Sequence, residues 1–364
     1  TEPKEAAAPQ TPGSSLLRSC DKEKDEGMNA FLDKMRFWIP AHAPAWAVKA
    51  SFAVWIAYKN LTMPQQKKSF GPLNQDKTFY VIRLYPPASG FLADYNYVLG
   101  YMKNAYDHGW IPVVDMQNYQ TLYNEDSPIH GTTNVWEYFF EQPLDPATGK
   151  RYTLEEVYQS KNVILSNGSD QFCNYTGDAD PEVLKWQHEM YLRVPFKKEL
   201  TDYIEKMRAS IQIPADMDLI GAPIRGSDLG KRFYGHAIQT TTEETIELLK
   251  TRVEAWSHED RKVGIFVNSE EQTAIDLVRE RFTHVYCTNS VRFVNNESDK
   301  VNRVADLYNK ISKYENILQY LTNIYLLSQC DSLFGTMNNG YYTAIIWNGG
   351  KFSHLETIDK GTYN

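Results

Sequence analysis

From Thr78 onward, short apolar runs rich in β-branched and aromatic residues alternate with longer stretches of helical spacing. That alternation is what a parallel sheet with crossover helices requires. The pattern predicts a strand over 79–84, a loop over 86–90, a helix over 92–108 closed by Gly109, and a strand over 111–115. A further strand is expected at 162–165, then one helical stretch over 182–210 that stops before Ile213-Pro214. A second series opens with a strand at 218–224 and a helix at 242–256, whose Thr-Thr-Glu-Glu start is a capping signal. Strands at 263–268, 283–286 and 332–335 follow, with helices at 270–281, 315–329 and 340–348. The expected fold class is α/β, with two Rossmann-like lobes facing a cleft: an N-terminal lobe over 78–213 and a C-terminal lobe over 214–364. Ahead of them, 28–77 reads as a helical segment. Residues 1–27, rich in Pro, Ala, Ser, Glu and Lys without a hydrophobic period, read as a tail or stem.

A chain of 364 residues suits two such lobes, and its net charge of -8 speaks against a nucleic-acid partner, which asks for a basic surface. One arginine can still hold a phosphate locally. Cys20, Cys173, Cys287 and Cys330 form no CxxC pair, which removes the common zinc and thioredoxin-like patterns and leaves disulfides open. No apolar run is long enough to span a bilayer. The longest, 43–58, contains Pro44 and Lys49 and reads either as a domain-packing helix or as one lying peripherally on a membrane. Sequons stand at Asn60, Asn167, Asn174 and Asn296.

Ligands of two-lobed α/β proteins bind beyond the carboxyl ends of the strands, and three loops qualify. The first runs through Gly90 into a helix carrying Asp94. The second follows the strand that ends at Ile224 and contains Arg225, Gly226, Ser227 and Asp228. A planar guanidinium there suits a diphosphate, and Gly226 lets the backbone come close. An Arg–Asp pair that merely ends the strand is the competing reading. The third, 335–340, places Thr336, Asn338 and Asn339 at a helix N-terminus, where backbone N–H groups and the helix dipole favour an anion. Asp178-Ala179-Asp180 and Asp216-Met217-Asp218 have the bare DxD spacing of metal-dependent transferases, a pattern short enough to arise by chance; no metal is expected. An acceptor pocket is expected within 116–160, which is rich in aromatic residues.

The run Ile220-Gly221-Ala222-Pro223-Ile224-Arg225-Gly226-Ser227-Asp228 resembles the HxRxxD-type strand end of the fucosyltransferase-like GT-B superfamily, which includes core N-glycan and nodulation fucosyltransferases. His236 lies in a segment, 235–239, similar to that family's histidine-containing stretch. Residues 323–331 resemble its LSxxD helix, and 348–351 its chain end. In the first half, 79–83, 97–100 and 111–116 resemble bacterial surface-polysaccharide glycosyltransferases of the same type, so the likeness covers about 78–363.

The resemblance implies a GT-B glycosyltransferase that moves a sugar, fucose from GDP-fucose in the nearest reading, to a glycan or polysaccharide hydroxyl with inversion and without a metal or other cofactor. It implies that Arg225 holds the donor β-phosphate and that Asp228 is the motif acid. Asn268, Ser269 and Glu270 would help hold the nucleotide, and Asn338 and Asn339 would sit in the phosphate loop. The base that deprotonates the acceptor would be Asp228 or, second, Asp94, with His236 a further candidate. Departures from the family pattern are specific. Ala222 stands where relatives often have His, and Gly226 where a second Arg is frequent. Asn323 replaces the acid that reads guanine, and Arg232 holds the spacing of the glutamate base. Two alternatives follow: the same fold with a different nucleotide sugar, or a non-catalytic carbohydrate-binding descendant. A bacterial cytoplasmic or inner-membrane face fits the resemblance; a secretory lumen fits the stem-like start and the sequons.

Overall fold

The computed structural model of the chain describes residues 47, 50, 54, 57, 58, 60–84, 90–167, 180–225, 237–257, 261–293 and 310–362. Gly226, Ser227, Asp228, Arg232 and His236 lie outside these residues, as do the tail 1–27, Cys20, Cys173, Asp178 and most of loop 86–90.

Two separate sheets form. The first is built from β1 (Gln66–Lys68), β2 (Phe79–Ile82), β3 (Ile111–Val114) and β4 (Val163–Leu165), in the order β1-β4-β2-β3. β2 lies parallel to both β3 and β4, and every residue of these three strands is buried. Continuous apolar runs are the form expected of strands covered on both faces. The polar β1 runs antiparallel on the edge beside β4. The second sheet is built from β5 (Met217–Pro223), β6 (Lys262–Asn268), β7 (Val285–Tyr286), β8 (Ser332–Thr336) and β9 (His354–Ile358), in the order β7-β6-β5-β8-β9. It is parallel throughout, so all of its carboxyl ends emerge along one edge.

The helices are α1 (Phe91–Asp107), α2 (Leu154–Val157), α3 (Pro181–Leu192), α4 (Lys198–Ile211), α5 (Thr242–Ala255), α6 (Gln272–Arg281), α7 (Lys313–Ser328) and α8 (Asn339–Asn348). The starts of α2, α5 and α7 carry full capping boxes, Thr153 with Glu156, Thr241 with Glu244 and Ser312 with Glu315. Gly349, at φ +73, ends α8 in the left-handed conformation that costs glycine little.

The single helical stretch expected over 182–210 is two helices. Pro195 lies in the interruption, where its ring and missing N–H oppose an unbroken helix. The segment 116–160 holds a 3₁₀ turn (Val135–Tyr138) and the short α2. Its aromatic residues Trp136, Tyr138, Phe139 and Phe140 are 0–1% exposed and belong to the core rather than to an open acceptor surface.

That core is continuous between the two sheets. Tyr80, Tyr95 and Trp136 from the first half share one apolar cluster with Leu327, Tyr342 and Trp347 from the second. The seam is helical: α8 packs on α1 and α3, and α7 on α4. Helix α8 can do this because 340–347 are buried on every side, so it has no solvent face to satisfy.

Candidate functional site

The parallel register of the second sheet brings three of the expected segments to its carboxyl edge. β5 delivers Arg225 two residues past its end, and Arg225 is exposed there. The Ile224 N–H donates to the Asn268 carbonyl at 2.8 Å, which fixes the stem of the Arg225 segment beside the end of β6. β6 delivers Asn268, Ser269 and Glu270, of which Ser269 is buried. β8 delivers Thr336 and the turn through Asn338 and Asn339 into α8.

The β8–α8 turn is held closely. Asn338 caps α8: its Oδ1 accepts the Tyr341 N–H at 3.0 Å, and its Nδ2 donates to the Thr336 carbonyl at 3.1 Å. Gln239 Nε2 donates to the Met337 carbonyl at 2.8 Å, tying the 237–240 segment to the same turn. Gly340 permits a close approach: a Cβ there would lie 2.9 Å from Ile324 Cδ1 and 3.0 Å from the Tyr320 hydroxyl, so those side chains would have to shift. Two buried amide oxygens, Gln239 Oε1 and Asn339 Oδ1, have no hydrogen-bond partner among the described residues. Buried acceptors of this kind are uncommon, and a donor supplied by a ligand would satisfy them.

The strand ends at β6 and β7 are joined by a residue that the motifs did not single out. Arg292 donates from Nε to the Ser269 carbonyl at 3.1 Å, from Nη1 to the Ser290 carbonyl at 3.1 Å and from Nη2 to the Thr288 carbonyl at 2.8 Å. Burial, the largest cause, lowers its pKa from the ordinary arginine value. Arg292 lies in a stretch without hydrophobic period, so sequence spacing carried no signal for it.

Asn323 is 5% exposed and both ends of its amide are engaged: Oδ1 accepts from Thr288 Oγ1 at 2.6 Å, and Nδ2 donates to Ser290 Oγ at 3.0 Å. From α7 it therefore holds the loop after β7. Asp94, in the first turn of α1, is 7% exposed. The two residues after it meet α8: the Asn96 amide donates to Thr343 Oγ1 at 3.3 Å, and the Tyr95 hydroxyl accepts from Trp347. Gly90 precedes α1 and is exposed.

The acidic triplets have structural roles in their described parts. Asp180 caps α3 through the N–H groups of Glu182 and Val183, and Asp218, at the opposite edge of the second sheet, is ion-paired with Arg261. A cavity of about 60 Å³ lies at that opposite edge, between Asp218, Trp256, Asp331 and His354. It is distant from the carboxyl-edge residues, and its carboxylates are occupied, Asp331 by the Leu219 N–H at 2.8 Å. Among the described residues no three His, Cys, Asp or Glu side chains are grouped as a metal site, and no helix is long and apolar enough to cross a membrane. Cys287 and Cys330 are free thiols.

No family model matches the chain, and no curated protein matches it. Solved structures do. The chain is similar to the fucosyltransferase NodZ from Bradyrhizobium, at 13% identity and a TM-score of 0.47, over 74% of this chain and 92% of that one. It is similar to POFUT1 in complex with GDP, at 9% identity and a TM-score of 0.44, over 77% and 99% of the two chains. It is also similar to a variant of Arabidopsis thaliana FUT1 in complex with GDP, at 14% identity and a TM-score of 0.44, over 90% and 78%.

Proposed function

We propose that the chain is an inverting glycosyltransferase that takes a nucleotide-sugar donor, GDP-linked fucose in the first instance, and needs no metal. The observation that carries this reading is the shared edge of the second sheet. There an exposed arginine, a helix N-terminus opened by Asn338, and the Asn268–Glu270 strand end come together on parallel neighbours. A diphosphate is the ligand chemistry that uses all of them: the guanidinium fork and the first N–H groups of α8 both favour phosphate oxygens.

In the proposed reaction the acceptor hydroxyl oxygen bonds to the anomeric carbon as the bond from that carbon to the diphosphate breaks. The bonding pair leaves with the nucleotide, and the hydroxyl proton goes to a carboxylate. In this reading Arg225 and the α8 N-terminus stabilise the charge that gathers on the leaving phosphate, a contribution of about 3–4 kcal/mol for one preorganised donor. Asp94 is the described candidate for the carboxylate, on the helix that packs against α8. A donor with a different base is the second reading. It is favoured by Asn323, whose amide is already committed to Thr288 and Ser290.

The test is a melting-temperature panel on the full chain with GDP, UDP, ADP, CMP and dTDP, followed by release of free sugar from the matching nucleotide sugar. A selective rise with GDP and release of fucose from GDP-fucose support the first reading, and selectivity for another nucleotide supports the second. Absence of any shift rejects both and leaves the non-catalytic alternative.

A further inference from the structure

At the carboxyl edge of the first sheet, Arg83 follows β2 and is only 5% exposed. Its Nε–H donates to the Ser166 carbonyl at 2.6 Å, and Nη2 donates to the Pro64 carbonyl at 2.7 Å. The ion pairs of the described residues do not include it. A buried guanidinium hydrogen-bonded to neutral carbonyls is less well compensated than one matched by an anion. All of Nη1 and one hydrogen of Nη2 have no partner among the described residues, so the planar guanidinium fork keeps N–H donors for an oxyanion.

Asp115, just past the end of β3, whose N–H donates to the Ile82 carbonyl at 2.9 Å, does not fill that role. It is buried and already accepts from the Gln117 N–H at 3.1 Å, the Asn118 N–H at 2.8 Å, the Asn118 amide at 2.9 Å and the Tyr158 hydroxyl at 2.6 Å. Burial raises its pKa, so the surroundings resist rather than invite its charge. Beside the guanidinium stands a half-buried aromatic ring, Tyr119, with its centroid 5.2 Å from Arg83 Cζ. Tyr119 belongs to the 116–160 segment where an acceptor surface is expected, and unlike Trp136 or Phe140 it is not sealed in the core.

We propose that Arg83 and Tyr119 form an acceptor subsite for an acidic sugar, the fork receiving a carboxylate or phosphate on the saccharide and the tyrosine ring supporting the sugar ring. This deepens the transferase reading and rests on it for the word acceptor; the acid-binding site itself does not need it. A mere strut between the end of β4 and Pro64 would show no ligand selectivity of this kind.

The experiment is ligand-observed NMR titration of the full chain with three probes: methyl glucuronide for the carboxylate, glucose 6-phosphate for the phosphate, and methyl glucoside as the neutral control. The subsite predicts at least tenfold tighter binding of one acidic probe than of methyl glucoside, and the preferred probe identifies the anion. Arg83→Met abolishes that preference, and Arg83→Lys, which keeps the charge and loses the fork, weakens it. Should Arg83→Met not fold, Tyr119→Ala carries the test, lowering affinity for acidic and neutral probes alike while the charge preference stays. Equal affinities, no binding of any probe, or a preference that survives Arg83→Met overturns the proposal. A GDP melting shift recorded on the same samples separates the two claims. GDP binding without acid preference removes only the subsite, and acid preference without GDP binding removes only the donor reading.

Discussion

Trp347 donates its indole N–H to the Tyr95 hydroxyl across 3.0 Å, from a helix of the second half of the chain to a helix of the first. The residues are 4% and 1% exposed. The bond matters for the site because Asp94 immediately precedes Tyr95, and α8 grows from the Asn338 turn. Helices α1 and α8, one from each half of the chain, are thus packed against one another.

Tyr95→Phe keeps the ring and leaves the Trp347 N–H buried without an acceptor. The cost of such an orphaned donor is about 1–3 kcal/mol, which at this chain size lowers the melting temperature by several degrees. Thermal denaturation followed by circular dichroism checks it; an unchanged midpoint would show that the bond adds nothing to the seam.

Asn323→Ala removes the acceptor of Thr288 and the donor to Ser290 together. Thr288 and Ser290 already share a hydrogen bond of 2.7 Å, which offsets part of the loss. A destabilisation of about 1–3 kcal/mol is expected, with faster amide exchange in 287–292 than in the wild type. Exchange rates that do not move there would contradict the role given to Asn323.

Gly340→Ala places a methyl group 2.9 Å from Ile324 Cδ1 at the second position of α8. Overpacking of this kind costs about 1–3 kcal/mol, and relief by moving the helix start displaces the proposed phosphate turn. Weaker GDP binding at a modest loss of stability is the expected result, read by calorimetry; full affinity would place the diphosphate elsewhere.

Asp115 gives a pH signature. Burial raises its carboxyl above the ordinary value of 3.8, so the folded chain binds this proton more tightly than the unfolded one. Between the unfolded value and the raised folded value, stability falls as pH rises, and above both the penalty stays constant. Asp115→Asn removes this titration, so the stability of the wild type relative to the variant should decline as denaturant melts are taken upward from about pH 4. A pH-independent difference would contradict the assignment.

The strands that were easiest to read are those whose residues are buried on both faces. β2, β3 and β4 are short runs of apolar and aromatic residues that little else could be. β1, the largely exposed Gln-Lys-Lys, and β9, the half-buried His-Leu-Glu-Thr-Ile, are edge strands whose pairing rather than composition makes them strands. Pro195 was visible in the sequence, but helical spacing on both sides of it masked the break between α3 and α4. That Arg225 and the 336–339 turn share one sheet edge was legible because parallel topology fixes which loops emerge together. Arg292, Gln239 and Arg83 were not, since their roles depend on carbonyls and rings brought from distant segments.

The account stands on Arg225 as the cation that holds a donor diphosphate, and a GDP titration of the wild type and Arg225→Ala, read as melting temperature, tests it most directly. Each protein's shift is read against its own melting temperature without ligand, so that any effect of the substitution on stability is separated from its effect on binding. The wild type should rise with GDP, by the equivalent of about 2.7 kcal/mol at a hundredfold excess over Kd. Arg225→Ala should need at least tenfold more GDP for the same rise. Superimposable titration curves for the two proteins would contradict the claim.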